Sequence, residues 1–129
     1  MTDEAGSSHR PEMTYVADVA SLVAVSVDST VSRTVLKADG VRLVLFAFDV
    51  GQELSEHTAA MPVLLRVLDG RLTVSAADRS VELAPGGVVH LPARMPHAVT
   101  ALEPTRMLLT MLDPGRDRPA KSGARAVVA

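Results

Sequence analysis

From about residue 16 to residue 113, the chain is a succession of short apolar runs separated by turn residues. The runs are rich in Val, Leu, Thr and Phe, and most of these residue types suit the pleated surface of a sheet. Many short strands with frequent turn signals are typical of an all-β sandwich or barrel. We therefore predict a fold of at least eight strands with hardly any helix. One run, Val16 to Val27, fits either a strand or a short helix.

Three clusters of turn residues divide the predicted strands. Asp39-Gly40 and Asp69-Gly70 each lie between two apolar runs. Asp-Gly favours tight hairpin turns, because both residues tolerate a positive φ. Pro85-Gly86-Gly87 interrupts a further pair of runs. We expect two strands to be joined at each of these positions.

Two of the predicted strands are apolar on both faces. Leu43 to Phe48 and Met107 to Leu112 are apolar at nearly every position, with Thr110 as the exception. A strand with one wet face would alternate apolar and polar residues, so both faces of these strands need cover. A second subunit would supply it, and we therefore predict a homodimer. The alternative is that the terminal arms fold back over the sheet.

The composition is that of one globular domain. The chain has 129 residues, of which 47% are hydrophobic and 22% are charged, which is enough apolar material for a single core. Both ends are polar and broken by Pro and Gly. We expect a domain over residues 16–113 between flexible arms at residues 1–15 and 114–129.

Charge and cysteine content exclude several classes of function. The net charge is −2 and no basic stripe runs through the body of the chain, so a nucleic-acid partner is not expected. The chain has no cysteine, which excludes disulfides and thiolate chemistry and agrees with a cytoplasmic location. The amino-terminal residues lack an apolar leader, and Val16 to Val27 is too short to span a bilayer, so no membrane association is expected.

Gly, Pro and His recur at defined spacings in two segments. The matching positions are Gly51, His57 and Gly70 in residues 51–70, and Gly86, Pro92 and His97 in residues 86–101. These spacings resemble the two sequence motifs of the cupin superfamily, in particular its small single-domain, RmlC-like members. The resemblance implies a conical double-stranded β-helix, that is, a jelly-roll barrel, with a pocket at one mouth.

The chain departs from the cupin motifs at four positions. Ala59 and Val63 stand where the family has its second His and its Glu, while Arg94 and Ala101 replace a Gly and an Asn. The resemblance implies a site for Fe, Mn, Ni or Zn, to which the family supplies three His and one Glu. Only His57 and His97 remain of these four ligands. Two imidazoles fall short of the three protein ligands usual at catalytic zinc, so we expect a divalent metal to be held weakly.

Other residues near the two histidines could add donors. Glu53, Glu56 and His90 are candidate third ligands, although each also fits a solvated or outward-facing position. Met61 and Met95 could bind a soft metal through their thioethers, or pack beside a cavity. Arg94 could clamp a carboxylate or phosphate, or lie on the surface. With Ala59 and Val63, these residues complete the candidate pocket.

Three functions remain open at this level. The first is a small cupin that binds a small molecule or a weakly held divalent metal in the barrel pocket without robust catalysis. The second is a metal-dependent cupin enzyme of oxygenase or isomerase type, with a third ligand from the residues above. The third is a ligand-sensing or protein-interaction module. The sequence does not decide whether the protein is an enzyme, because fold analogy is weak support for an activity.

Overall fold

The computed structural model describes residues 10–113. Within that range the chain forms one 3₁₀ helix, Val19–Leu22, and nine antiparallel β-strands. The strands are β1 (Thr30–Ala38), β2 (Val41–Phe48), β3 (Glu53–His57), β4 (Val63–Asp69), β5 (Leu72–Ala76), β6 (Arg79–Leu83), β7 (Val88–Leu91), β8 (His97–Ala101) and β9 (Thr105–Leu112). The all-β prediction is confirmed. The predicted arms lie outside the described residues except for residues 10–15, which form no helix or strand and are exposed.

The strands form two sheets that pack face to face. One has five strands in the order β1-β2-β9-β4-β7, and the other has four in the order β3-β8-β5-β6. The core between them takes buried side chains from both, including Phe48, Leu65 and Met107 of the first sheet and Leu72 and Val99 of the second. Because most connections cross from one sheet to the other, the chain follows a jelly-roll path.

Only one of the three predicted turns joins a hairpin. β1 and β2 pair directly around Asp39-Gly40. Two strands are joined at Asp69-Gly70 and at Pro85-Gly86-Gly87 as predicted, but in each case they belong to different sheets and form no hairpin. Gly70 has a φ of +92°, and a Cβ at this position would overlap the Pro104 carbonyl oxygen and Thr105. This glycine therefore serves a close crossing between sheets.

The second hairpin that the structure does contain has no glycine signal. β5 and β6 pair around Ala77-Asp78, where Ala77 has a φ of +55°. A non-glycine residue with positive φ is uncommon, which is why the turn is not visible in the sequence.

The amino-terminal segment covers part of the outer face of the five-stranded sheet. Val23 is buried against Leu45 and Ala47 of β2, and the half-buried Val19, Leu22 and Val25 pack around them. The run Val16 to Val27 therefore holds a short helix followed by extended chain without strand pairing. This cover comes from within the predicted domain, whereas the predicted arms at residues 1–15 and 114–129 lie mostly outside the described residues. No helix between residues 10 and 113 is long and apolar enough to cross a membrane.

Two loops close the same mouth of the barrel. Residues 58–62 join β3 to β4, and residues 92–96 join β7 to β8. The backbone N–H of Arg94 donates to the carbonyl of Ala59 at 2.7 Å, which ties one loop to the other. Because β3 ends and β8 begins at these loops, His57 and His97 both lie at this mouth.

Candidate functional site

The two motif histidines form a ring pair at the mouth of the barrel. His57 at the end of β3 is the register partner of His97 at the start of β8. Their ring centroids are 4.3 Å apart and the ring planes are tilted by 56°. His97 is only 4% exposed, whereas His57 is exposed toward the opening. Residues 40 positions apart in the sequence thus meet in one polar cluster.

A β-bulge turns His57 toward the inside of the barrel. Leu54 pairs with Val99 and His57 pairs with His97, so three steps along β3 match two steps along β8. Leu54 and Val99 both pack in the core. Cross-strand partners share a face of their sheet, so His57 lies on the inner face with His97. In a regular strand a residue three positions after Leu54 would face outward, and the bulge is what turns His57 inward.

Backbone carbonyls fix the tautomer of both rings. His57 Nδ1 lies 2.8 Å from the carbonyl oxygen of Ser55, and His97 Nδ1 lies 2.9 Å from that of Met95. A carbonyl oxygen only accepts hydrogen bonds, so each Nδ1 is the protonated nitrogen. In the neutral form of each ring, Nε2 therefore carries the lone pair that a ligand could use. This carbonyl-to-histidine arrangement is also the one that orients imidazoles at metal sites.

The positions of the missing family ligands are apolar and partly built into the core. Val63 is 1% exposed and belongs to the core cluster, and Ala59 is half-buried against it. Neither side chain has a lone pair. No group of three His, Asp or Glu side chains within residues 10–113 is arranged to hold a metal ion. The ring pair is thus the recognisable remainder of the implied site.

The candidate third ligands do not join the ring pair. Glu53 pairs with Thr100, on the outer face of the four-stranded sheet and away from the buried side of β8. Glu56 is exposed within the bulged part of β3. His90 is exposed on β7 and pairs with Leu64, while its neighbours Val89 and Leu91 point into the core. His90 therefore faces outward, as one of its two sequence interpretations had it.

Arg94 and the two methionines occupy separate places around the mouth. Arg94 is exposed and has a φ of +65°, a left-handed backbone conformation that favours glycine. Met95 packs against the core and lines a cavity. Met61 lines a second, smaller cavity of about 70 Å³ with Lys37, Arg42 and Met111.

A cavity of about 560 Å³ opens between the edge strands β6 and β7. Its lining includes His90 and Ala76, the register partner of His97, whereas His57 and His97 do not themselves line it. Arg79 also lines it. Sequence analysis missed this arginine, because no motif marks it. Arg79 directly follows the Ala77-Asp78 turn, and that turn has no glycine signal in the sequence.

Comparison with known proteins agrees with this architecture. No match was found among curated proteins. Among solved structures, a cupin superfamily protein from Desulfitobacterium hafniense DCB-2 is 26% identical, with a TM-score of 0.69 over 79% of this chain and 93% of the other. A conserved protein of unknown function from Streptococcus pyogenes is 27% identical, with a TM-score of 0.71 over 82% and 93%.

A third structure agrees in fold. An RmlC-like cupin protein from Desulfovibrio desulfuricans is 24% identical, with a TM-score of 0.68 over 78% of this chain and 97% of the other. The family model described as the cupin domain matches residues 44–112. That range contains both spaced motifs, the histidine pair and seven complete strands, from β3 to β9. The chain therefore belongs to the cupin family.

Proposed function

We propose that this cupin binds a small molecule in its barrel, with His57 and His97 as the polar end of the pocket, and that it holds any divalent metal weakly. One observation carries the proposal. The rings lie 4.3 Å apart on the inner face, and both Nδ1 atoms are bonded to carbonyls. Two neighbouring imidazoles, each with an Nε2 lone pair in its neutral form, thus stand at the opening of a largely apolar barrel.

The donor set fits a weakly bound ion and not a tightly bound one. His57 and His97 would supply two nitrogen ligands to a divalent ion, and water or a bound small molecule would have to complete its coordination. A bound ion would contribute Lewis acidity at this position. Tight sites usually use at least three protein ligands, and Ala59 and Val63 cannot provide them.

Titration of the chelator-free protein with Ni²⁺, followed by NMR, tests the metal part of the proposal. We expect saturable broadening of signals around His57 and His97, and the ion should be lost on dialysis. His97→Ala should weaken binding by more than about tenfold, because it removes one of only two ligands. His90→Ala is the matched control for the ring pair, since His90 is an exposed histidine that lines the neighbouring cavity but is not one of the two paired rings.

Two outcomes would contradict this interpretation. Stoichiometric metal that survives dialysis would show that the chain completes a tight site. Equal Ni²⁺ affinity in His97→Ala and the unmodified protein would show that the ring pair is not the binding site. A fold check by circular dichroism accompanies both variants, because His97 is buried.

A further inference from the structure

The cavity next to Ala76 has an aliphatic wall, and among the described residues one cation without a partner, the exposed Arg79, lines it. Its apolar wall includes Val74, Ala76, Val81, Leu83, Val89 and Met95. A volume of about 560 Å³ lies within the range of small-molecule pockets. None of the lining residues in the described part of the chain is Phe, Tyr or Trp. Such a wall favours an aliphatic ligand over a sugar or a base, because stacking surfaces are missing.

Strand register places the arginine in one row with the histidines. His57 pairs with His97, His97 pairs with Ala76, and Ala76 pairs with Arg79. Val81 and Leu83 pack in the core, so Arg79, two residues before Val81, lies on the same inner face of β6. The row therefore crosses the four-stranded sheet from the imidazoles to the guanidinium.

The middle of this row is open. Ala76 carries only a methyl group, and it lies between the longer side chains of His97 and Arg79. Adjacent strands lie about 4.8 Å apart, so the backbones of His97 and Arg79, two strands apart, are separated by roughly 10 Å. A ligand several carbons long can lie over Ala76 with one polar group at each end.

The charges around the cavity leave Arg79 available. Glu82 also lines the cavity but forms an ion pair with Arg71. Within residues 10–113, the Arg79 guanidinium has no hydrogen bond or ion pair. Asp78 is exposed in the adjoining turn and is the one acidic lining residue that the described chain leaves unpaired. A guanidinium beside an aliphatic wall is suited to bidentate binding of a carboxylate.

We propose that the cavity binds an aliphatic carboxylate, with its carboxylate on Arg79 and its other end toward His57 and His97. This inference rests on the proposed function for the imidazole end and names the class of ligand for the same pocket. Arg79 is the residue that gives the pocket its preference for an anion, and Ala76 provides the space between the two polar ends.

Octanoate and its neutral amide, octanamide, are suitable probes for this proposal. NMR titration of the full chain should show octanoate binding at least about tenfold more tightly than octanamide, because only the carboxylate can form a charged bidentate pair. Backbone signals of Ala76, Arg79 and Val81 should shift. Arg79→Gln should bring the two affinities together, and Asp78→Asn should strengthen octanoate binding by removing a competing charge. Arg66→Gln, which changes an exposed arginine on the outer face, should leave the preference intact.

The outcomes separate this inference from the proposed function. Equal binding of octanoate and octanamide to the unmodified protein, or a preference that survives Arg79→Gln, would overturn the role of Arg79. If octanoate binds through Arg79 but leaves the imidazole signals of His57 and His97 unmoved, the carboxylate site stands and the imidazole end of the pocket fails. Ala76→Leu gives a second check, since it should block octanoate while Arg79 stays in place.

Discussion

Arg94 stands where the family motif has glycine, and its backbone lies in a region that favours glycine. It adopts the left-handed conformation, with a φ of +65°. Its backbone N–H donates to Ala59 across the two loops that close the mouth. Arg94 makes this hydrogen bond from the left-handed conformation. For a residue with a Cβ, that conformation lowers the free energy of unfolding by about 1 to 2 kcal/mol.

Arg94→Gly should therefore raise the free energy of unfolding slightly. Relief of the left-handed conformation is offset by the larger unfolded-state entropy of glycine, so we expect a net gain of up to about 1 kcal/mol. Arg94→Val should lower it by about 1 kcal/mol, because a β-branched residue fits this region poorly. Urea unfolding of both variants measures the difference. A stability loss in the glycine variant would show that the arginine side chain is itself stabilising.

Asp49 predicts a local dependence of stability on pH. Its carboxylate accepts the backbone N–H of Asp28 at 2.7 Å and that of Val50 at 2.8 Å, and these bonds hold the pKa of Asp49 below its ordinary value. A lowered folded-state pKa stabilises the fold above the usual aspartate range, and this contribution is lost as the pH falls through the folded-state pKa.

Asp49→Asn should consequently cost most at neutral pH and least in strong acid. An amide offers one acceptor oxygen where the carboxylate offers two, so one of the two bonds is lost. Urea unfolding of the variant and the unmodified protein across this pH range tests the prediction. Asp39→Asn, in the exposed hairpin turn, is the control that should show no such convergence. A constant difference between Asp49→Asn and the unmodified protein at all pH values would contradict the assignment.

Spacing predicted some site residues and not others. The motif distances were enough to select His57 and His97, because a fold fixes how far apart along the chain its facing positions lie. Motif spacing could not show that Glu53 lies on the outer face and is therefore no ligand, because closeness in sequence does not reveal which face of a strand a residue occupies. Whether His57 points into the barrel depends on the bulge between Leu54 and His57. A bulge is set by the pairing of strands in the folded protein, and it leaves no local signature in the sequence.

At the scale of elements, the amino-terminal segment is held by two arginines from the sheet. Arg106 of β9 donates to the carbonyl of Ala20 at 2.6 Å, and Arg33 of β1 donates to that of Leu22 at 3.1 Å. These carbonyls belong to the 3₁₀ helix, whose last carbonyl groups lack partners within the helix. Asp69 in turn contacts the Arg106 guanidinium at 3.2 Å. The short helix is therefore secured mainly by the sheet on which it lies.

Arg106→Ala should release this segment. We expect a loss of about 2 kcal/mol in the free energy of unfolding, since hydrogen bonds from a charged group contribute about 1.5 to 3 kcal/mol each and this side chain is partly exposed. Arg33→Ala should cost about 1 kcal/mol or less, because Arg33 is more exposed. Hydrogen exchange should lose protection selectively in residues 19–25. Unchanged exchange there would show that the apolar contacts of Val23 are sufficient.

Element pairing was predictable where turn chemistry and strand order coincide. Asp39-Gly40 joins neighbours in one sheet. The same dipeptide at Asp69-Gly70 joins strands of different sheets, and Gly70 there lies close to Thr105. A turn signal specifies a change of direction, and the jelly-roll path decides whether the next strand pairs with the last one.

At the scale of the whole molecule, the described residues cover the outer face of the five-stranded sheet only in part. The folded-back segment covers Leu45 and Ala47. Leu43 and Leu64 are half-buried and flank Thr110 in one cross-strand row. The homodimer remains a prediction, and this part of the sheet is the surface we propose for it.

Sedimentation analysis tests that prediction directly. We expect a dimer at micromolar concentration, and Leu64→Glu should convert it to a monomer by placing a charge in the interface. Val50→Glu, an exposed apolar residue in the β2–β3 loop, should leave the dimer intact. A monomer across the whole concentration range of the unmodified protein would contradict the proposal and leave the row exposed.

The bulge in β3 has a consequence for how this pocket could be gained or erased. Pairing β3 with β8 without the bulge, at unchanged length, would restore strict alternation and turn the imidazole to the exterior without altering any side chain of the pocket. Deleting one residue between Leu54 and His57 would instead leave two steps between them, as between Val99 and His97, and keep the imidazole inside. The site thus depends on strand register as much as on chemistry. Changes in this register, which comparisons of residue identity overlook, are the ones that would remove or restore it.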